Sequence, residues 1–120
     1  MKHAEISEKI LECCFEVIKD LGAGFLESVY EKALLIALRQ KGLHAENQVP
    51  LEVEFRGEIV GEFYADIVVE DKIIVELKTA KALTPDNQAQ VINYLKATKK
   101  EVGLLINFGK PKLEFKRLHN

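Results

Sequence analysis

The chain has 120 residues, of which 48% are hydrophobic and 30% charged, with a formal net charge of −2; this is one core's worth of ordinary globular sequence and excludes both a two-domain body and a disordered chain. No apolar run approaches the roughly 20 residues of a membrane-spanning helix, and the polar start MKHAEISEKI does not have the apolar stretch of a secretory signal, so a single cytoplasmic domain over residues 1–120 is expected. Cys13 and Cys14 are adjacent and His3, His44 and His119 are scattered, which excludes a disulfide framework and a His/Cys zinc site and leaves the thiols as packing groups.

From Ile6 to Leu21 the apolar residues Ile6, Ile10, Cys13, Cys14, Val17, Ile18 and Leu21 recur on one face of a helix. Gly22-Ala23-Gly24 breaks that pattern, and a second helix is expected from about Leu26 to Gln40, ended by Gly42. The period then changes to two. Leu43 to Val49 reads as a short strand that Pro50 ends, and Leu51, Val53 and Phe55 alternate with Glu52, Glu54 and Arg56 in the next one. Arg56-Gly57 is a turn into a long strand, Glu58 to Val69, followed by Ile73 to Lys78. Thr84-Pro85-Asp86 starts a third helix, with Thr84 as its cap and Pro85 at its first position. That helix ends near Lys99, and strands Val102 to Phe108 and Lys112 to Leu118 close the chain. The order α-α-β-β-β-β-α-β-β predicts one α/β domain: an antiparallel meander joined to a parallel strand by a helical crossover, hence a mixed sheet flanked by helices.

Charge is uneven along this order. Residues 1–95 hold 10 Lys+Arg against 17 Asp+Glu, whereas residues 96–120 hold 7 against 2. The basic tail can track phosphates or form the solvated outer face of a last strand pair.

The strand Ile73–Lys78 places Ile74, Glu76 and Lys78 on one face and Val75 and Leu77 on the other. Ile74 marks the first face as partly buried, so Glu76 and Lys78 need partners or a metal, because an unpaired buried charge costs several kcal/mol. The plainer reading is a Glu76–Lys78 ion pair on an exposed face. Whether Asp66 joins them depends on register. A two-residue turn at Glu70-Asp71 puts Asp66 and Glu76 on opposite faces; a three-residue turn, Glu70-Asp71-Lys72, pairs Val69 with Ile73 and sets Asp66 across from Glu76. We expect the second register, or a bulge with the same effect. Carboxylates opposed at ~4.5–5.5 Å between Cβ atoms repel unless a divalent cation sits between them, and hard oxygen ligands beside a lysine suit Mg²⁺ or Mn²⁺ phosphodiester chemistry.

Asp66 followed at ten residues by Glu76-Leu77-Lys78 resembles the D-x(n)-(D/E)-x-K signature of the PD-(D/E)XK nuclease superfamily, with Ala65 where proline usually stands. Gly24-Phe25-Leu26-Glu27-Ser28-Val29-Tyr30 is similar to the G-x-x-E-x-x-Y pattern of the GxxExxY proteins, a prokaryotic branch of that superfamily, and the likeness extends from about Ile18 to Phe108. Gln90 and Tyr94, one helical turn apart, resemble the Q-x-x-x-Y element that follows the E-x-K strand in exonuclease domains of break-repair machines.

The resemblance implies a restriction-endonuclease-like fold and a metal-dependent nuclease, a hydrolase of phosphodiester bonds. In that reading Asp66, Glu76 and the Leu77 carbonyl hold Mg²⁺ (or Mn²⁺), Glu27 is a further ligand, direct or through water, and Lys78 orients the attacking water or stabilises charge on the phosphate. Tyr30, Gln90 and Tyr94 support this shell; Lys81, Lys112, Lys116 and Arg117 approach the nucleic-acid backbone. DNA is preferred to RNA as the partner, a homodimer is admitted, and no membrane is involved. The alternative is a non-catalytic nucleic-acid- or protein-binding module on the same fold, its acidic face meeting a basic partner.

Overall fold

Helix α1 (Ala4–Leu21) buries the stripe Ile10, Cys13, Cys14, Val17 and Ile18, as its spacing predicts, in a computed structural model that describes residues 2–120. After it come α2 (Glu27–Gln40), β1 (Ala45–Phe55), β2 (Glu58–Val69), β3 (Ile73–Lys78), α3 (Pro85–Thr98), β4 (Val102–Asn107) and β5 (Glu114–His119). The five strands form one sheet in the order β1-β2-β3-β4-β5. Every neighbouring pair is antiparallel except β3 and β4, which α3 connects as a parallel crossover.

One strand fewer forms than the sequence pattern suggests. Pro50 does not divide the segment before Phe55; β1 runs through it, with Pro50 opposite Tyr64. The reason is position. As the outermost strand β1 has a neighbour on one side only, where a residue without an N–H is tolerated.

The core is split by the sheet. On one face α1 and α2 pack on Ile67, Val69, Ile73, Val75, Leu77, Leu104 and Ile106; on the other, Tyr94 and Leu95 of α3 pack with Leu51, Ala65, Val68 and Ile74. β3 and β4 are therefore covered on both sides, which explains their nearly continuous apolar sequences. Gly103 on β4 lets α3 sit close, for a Cβ there would lie 2.6 Å from Val91 Cγ1. Thr84 caps α3 with a reciprocal pair, Asn87 N–H donating to the Thr84 hydroxyl and Thr84 N–H to the Asn87 side chain, each at 3.1 Å.

Strands of 11 and 12 residues make the β1–β2 hairpin about twice as long as its six-residue neighbours, so its outer half projects past them and stretches the molecule to 46 × 30 × 25 Å. At the point of departure the sheet forks: β2 pairs with β3 only through Ile67, Val68 and Val69, and Asp66 is the first residue beyond.

Candidate active site at the sheet fork

The turn between β2 and β3 pairs Val69 with Ile73 and Ile67 with Val75, the three-residue register. Glu70 and Asp71 adopt left-handed backbone to make it, and Lys100 Nζ holds Asp71 by its carbonyl (2.9 Å) and carboxylate (3.0 Å). Continued by one step, this register sets Asp66 across from Glu76, and the two side chains close the fork where the backbone ladder stops. Asp66 N–H donates to Glu76 Oε1 at 2.9 Å and Leu77 N–H donates to Asp66 Oδ2 at 2.8 Å. Because the N–H and C=O of an extended residue point to the same side, the Leu77 carbonyl lies on the fork side of β3. Lys78 directs its carbonyl the other way, accepting from Phe108 N–H at 2.8 Å.

Burial governs the charge here. Glu76 is only 5% exposed; desolvation first, and the Asp66 carboxylate second, push its pKa up to about 8, while Lys78 pulls the other way. Tyr94, buried on α3, has its pKa raised mainly by burial and also by the charges of Glu76 and Asp66. Its ring stacks on Phe63 at 4.5 Å between centroids.

Glu27 opens α2, so its carboxylate sits at the positive end of that helix. Partial desolvation and Asp66 raise its pKa, against the opposing effects of Lys78 and of the Thr79 backbone amide nearby. Glu27 thus feels the charges of the fork, from the face of the sheet opposite α3. Tyr30 does not face the fork. It is buried behind α2, where its hydroxyl donates to the Gly22 carbonyl and accepts from Phe25 N–H (3.2 Å), pinning the Gly22–Phe25 loop that delivers Glu27. Gly24, at φ +115°, supplies the backbone conformation that an L side chain rarely adopts.

Gln90 is exposed on α3 and lines, with Tyr94, Phe63, Asp86 and Asn93, a shallow depression of about 350 Å³ next to the fork. The basic residues separate. Lys81 and Lys112 occupy the loops that follow Lys78 and Asn107, residues paired on β3 and β4, so both lie at the fork's end of the sheet. Lys116 and Arg117 are further along the outer strand β5, and Arg117 is turned inward, its Nη2 donating to the Lys2 carbonyl.

Among the described residues no three His, Cys, Asp or Glu side chains form a ready-made metal site. The donors that are in place still suit a hard divalent cation: two facing carboxylates, one of them raised in pKa by burial first and by the other's charge second, and a backbone carbonyl on the same side. Two groups escaped the sequence reading. Gln48, left-handed at φ 50° in mid-strand, donates through Nε2 to Glu31 Oε1 (2.7 Å) and lies 3.5 Å from Asp66 Oδ1. Asn107 is fully buried at the end of β4; a lone amide closing the apolar run Val102–Ile106 is the signal that could have marked it.

Among curated proteins none matches the chain. The crystal structure of SSO0001 matches with a TM-score of 0.62 at 19% identity, over 78% of this chain and 49% of that one, so the chain spans about half the length of its structural neighbour. That likeness shows the fold. A family model described as the PD-(D/E)XK nuclease superfamily matches residues 4–118, from the first turn of α1 into β5. The five-stranded mixed sheet flanked by helices is the restriction-endonuclease-like arrangement, and with Asp66, Glu76 and Lys78 gathered where that sheet forks, the chain belongs to the PD-(D/E)XK nuclease superfamily.

Proposed function

We propose that this domain is a divalent-metal-dependent nuclease that hydrolyses phosphodiester bonds of nucleic acid, DNA in preference to RNA, and that it belongs to the GxxExxY branch of its superfamily. The observation that carries the reading is the reciprocal Asp66–Glu76 contact at the fork, with Glu76 buried and Lys78 two residues on. A purely structural role gains nothing from two carboxylates in one partly dry place. Asp66, Glu76 and the Leu77 carbonyl would hold Mg²⁺ or Mn²⁺, with Glu27 as a further ligand; such an ion supplies Lewis-acid polarisation of a phosphoryl oxygen and neutralises charge there.

The chain's own residues do the rest. Lys78, half-buried beside Glu76, orients the attacking water and stabilises the charge that develops on the phosphate. Tyr94 walls the fork on the α3 side and fixes Phe63, so that water reaches the carboxylates from the open side only. Gln90 reaches the scissile strand from the rim of the same depression, and Lys81 and Lys112 neutralise phosphates on the approach.

The test pairs a cleavage assay with a binding assay on labelled single- and double-stranded DNA and RNA, in Mg²⁺ and in Mn²⁺. Lys78→Ala is expected to abolish cleavage while leaving affinity within a few fold, because one phosphate contact is a small share of the total. Wild-type protein that binds but cleaves none of these substrates would establish the non-catalytic binding module instead.

A further inference from the structure

The tripeptide Asn107-Phe108-Gly109 has no place in any of the motifs, yet three of its groups lock onto the backbone that surrounds the fork. The Asn107 carboxamide is fully buried and uses both ends: Oδ1 accepts from Ala80 N–H and from Gly109 N–H, each at 2.9 Å, while Nδ2 donates to the Ala80 carbonyl at 2.9 Å and to Glu114 Oε1 at 3.1 Å. Both polar groups of Ala80 are thereby held by one side chain, as a neighbouring strand would hold them. Gly109 is pressed on the same turn, for a Cβ there would lie 2.4 Å from Ala80 N and 2.7 Å from the Thr79 carbonyl carbon. Glu114 extends the grip by accepting from Leu83 N–H at 3.1 Å.

Phe108 points the other way. Its ring is stacked on Tyr30, 4.8 Å between centroids and 6° from parallel, and Tyr30 is the residue that fastens the loop before α2. One three-residue segment therefore ties together the turn that follows Lys78 and the aromatic pin behind the loop that delivers Glu27.

We propose that Asn107-Phe108-Gly109 is a positioning element that fixes the start of α2 against the Thr79–Ala80 turn and so sets where the Glu27 carboxylate stands at the fork. The inference rests on the reading of Glu27 as part of the active site. It assigns to Asn107 no contact with substrate or metal; Asn107 acts through Ala80 and Thr79. Outer partners that orient a ligand typically change metal affinity by about 10–100-fold when removed.

The test is a double-mutant cycle between Asn107→Ala and Tyr30→Phe, read by NMR on the folded, metal-free proteins as the hydrogen-exchange rate of the Phe25 amide, which donates to the Tyr30 hydroxyl. Each single variant is expected to speed that exchange about tenfold, and the double variant to be no faster than either, since both break one linkage. Rates that multiply in the double variant, or a Phe25 rate unchanged in Asn107→Ala, would overturn the proposal. Should Asn107→Ala not fold, Glu114→Ala, cut at the half-exposed end of the clamp, is judged by the same criteria. A Mn²⁺ titration of wild type, Asn107→Ala, Glu27→Ala and the Asn107→Ala/Glu27→Ala double variant then addresses the site itself: Asn107→Ala should weaken binding about tenfold with Glu27 present and less than about twofold with Glu27 removed. Wild type that binds no Mn²⁺ would remove the nuclease reading alone, because Phe25 exchange is measured without metal.

Discussion

Asp66 and Glu76 take over hydrogen bonds that the strand ladder would otherwise make, each carboxyl accepting a backbone amide from the other's strand. The arrangement leaves the metal-free fork with more negative charge than its burial favours, and Glu76 responds by holding a proton up to a pKa of about 8 against an ordinary 4.5. The sign of the linkage follows. Between those values the folded chain binds a proton that the unfolded chain has released, so the contribution is complete below about pH 4.5 and is lost as pH rises through 8. Chelated wild-type protein should therefore lose stability, by roughly a few kcal/mol, between pH 5 and pH 8, whereas Glu76→Gln should be nearly flat over that window. Urea titrations in EDTA measure both; a wild type as flat as the variant would disprove the linkage. Millimolar Mn²⁺ should reverse the slope for wild type, because an ion that binds only the folded state stabilises it most where its ligands are ionised. Parity along β3 showed that Glu76 and Lys78 share a face, but left the Asp66 register open between two turn lengths, since both are sterically possible for Glu70-Asp71-Lys72. Asp71's two bonds to Lys100, 29 residues on, are what a local reading cannot contain.

At the scale of elements, propensity and tertiary position contribute differently. α3 declares its own start, since Thr84, Pro85 and Asn87 together build a cap that no partner need complete. β1 does not, for Pro50 ends an interior strand and is tolerated in an outer one, and which of these applies depends on sheet order. Local pattern alone therefore divides the leading strand in two at Pro50, where the fold keeps it whole. Gly103 has the same character: in sequence it is an unremarkable glycine in an apolar run, and only the crossover shows that Val91 of α3 fills the space a Cβ would need. Gly103→Ala should accordingly push α3 outward and cost about 1–3 kcal/mol, the usual penalty of overpacking, whereas Thr84→Ala, which removes the cap and leaves the interface alone, should cost about 1 kcal/mol. Denaturant midpoints give both values. If Gly103→Ala were as stable as wild type, α3 would not be seated as closely on β4 as described. Displacement of α3 also moves Tyr94 and Gln90, so the glycine variant should lose cleavage at temperatures where it is still fully folded.

Across the whole molecule the basic tail does not act as one patch. The parallel register pairs Lys78 with Asn107 at one end of the sheet and Ile73 with Val102 at the other. Lys81 and Lys112 therefore fall at the fork's end, and Lys96, Lys99 and Lys100 at the far end, beside a groove whose opposite wall carries Glu46, Glu52 and Glu54. The cations of residues 96–120 are thus divided by topology between the two ends of the sheet, a division that their clustering in sequence does not reveal. Each phosphate neutralised by a cation contributes about 0.9 to the slope of log affinity against log salt on duplex DNA. Replacing Lys81 and Lys112 together with alanine should lower that slope by about 2, while replacing Lys96 and Lys99 should leave it nearly unchanged, although both pairs remove the same charge. Arg117→Ala should also change little, because its guanidinium is already bound to the Lys2 carbonyl. Fluorescence anisotropy on one labelled duplex from low to moderate salt supplies all the slopes, in Ca²⁺ should cleavage intervene. Equal reductions from the two lysine pairs would mean that nucleic acid covers both ends of the sheet or binds without orientation, and Lys81 and Lys112 would then have no special relation to the fork.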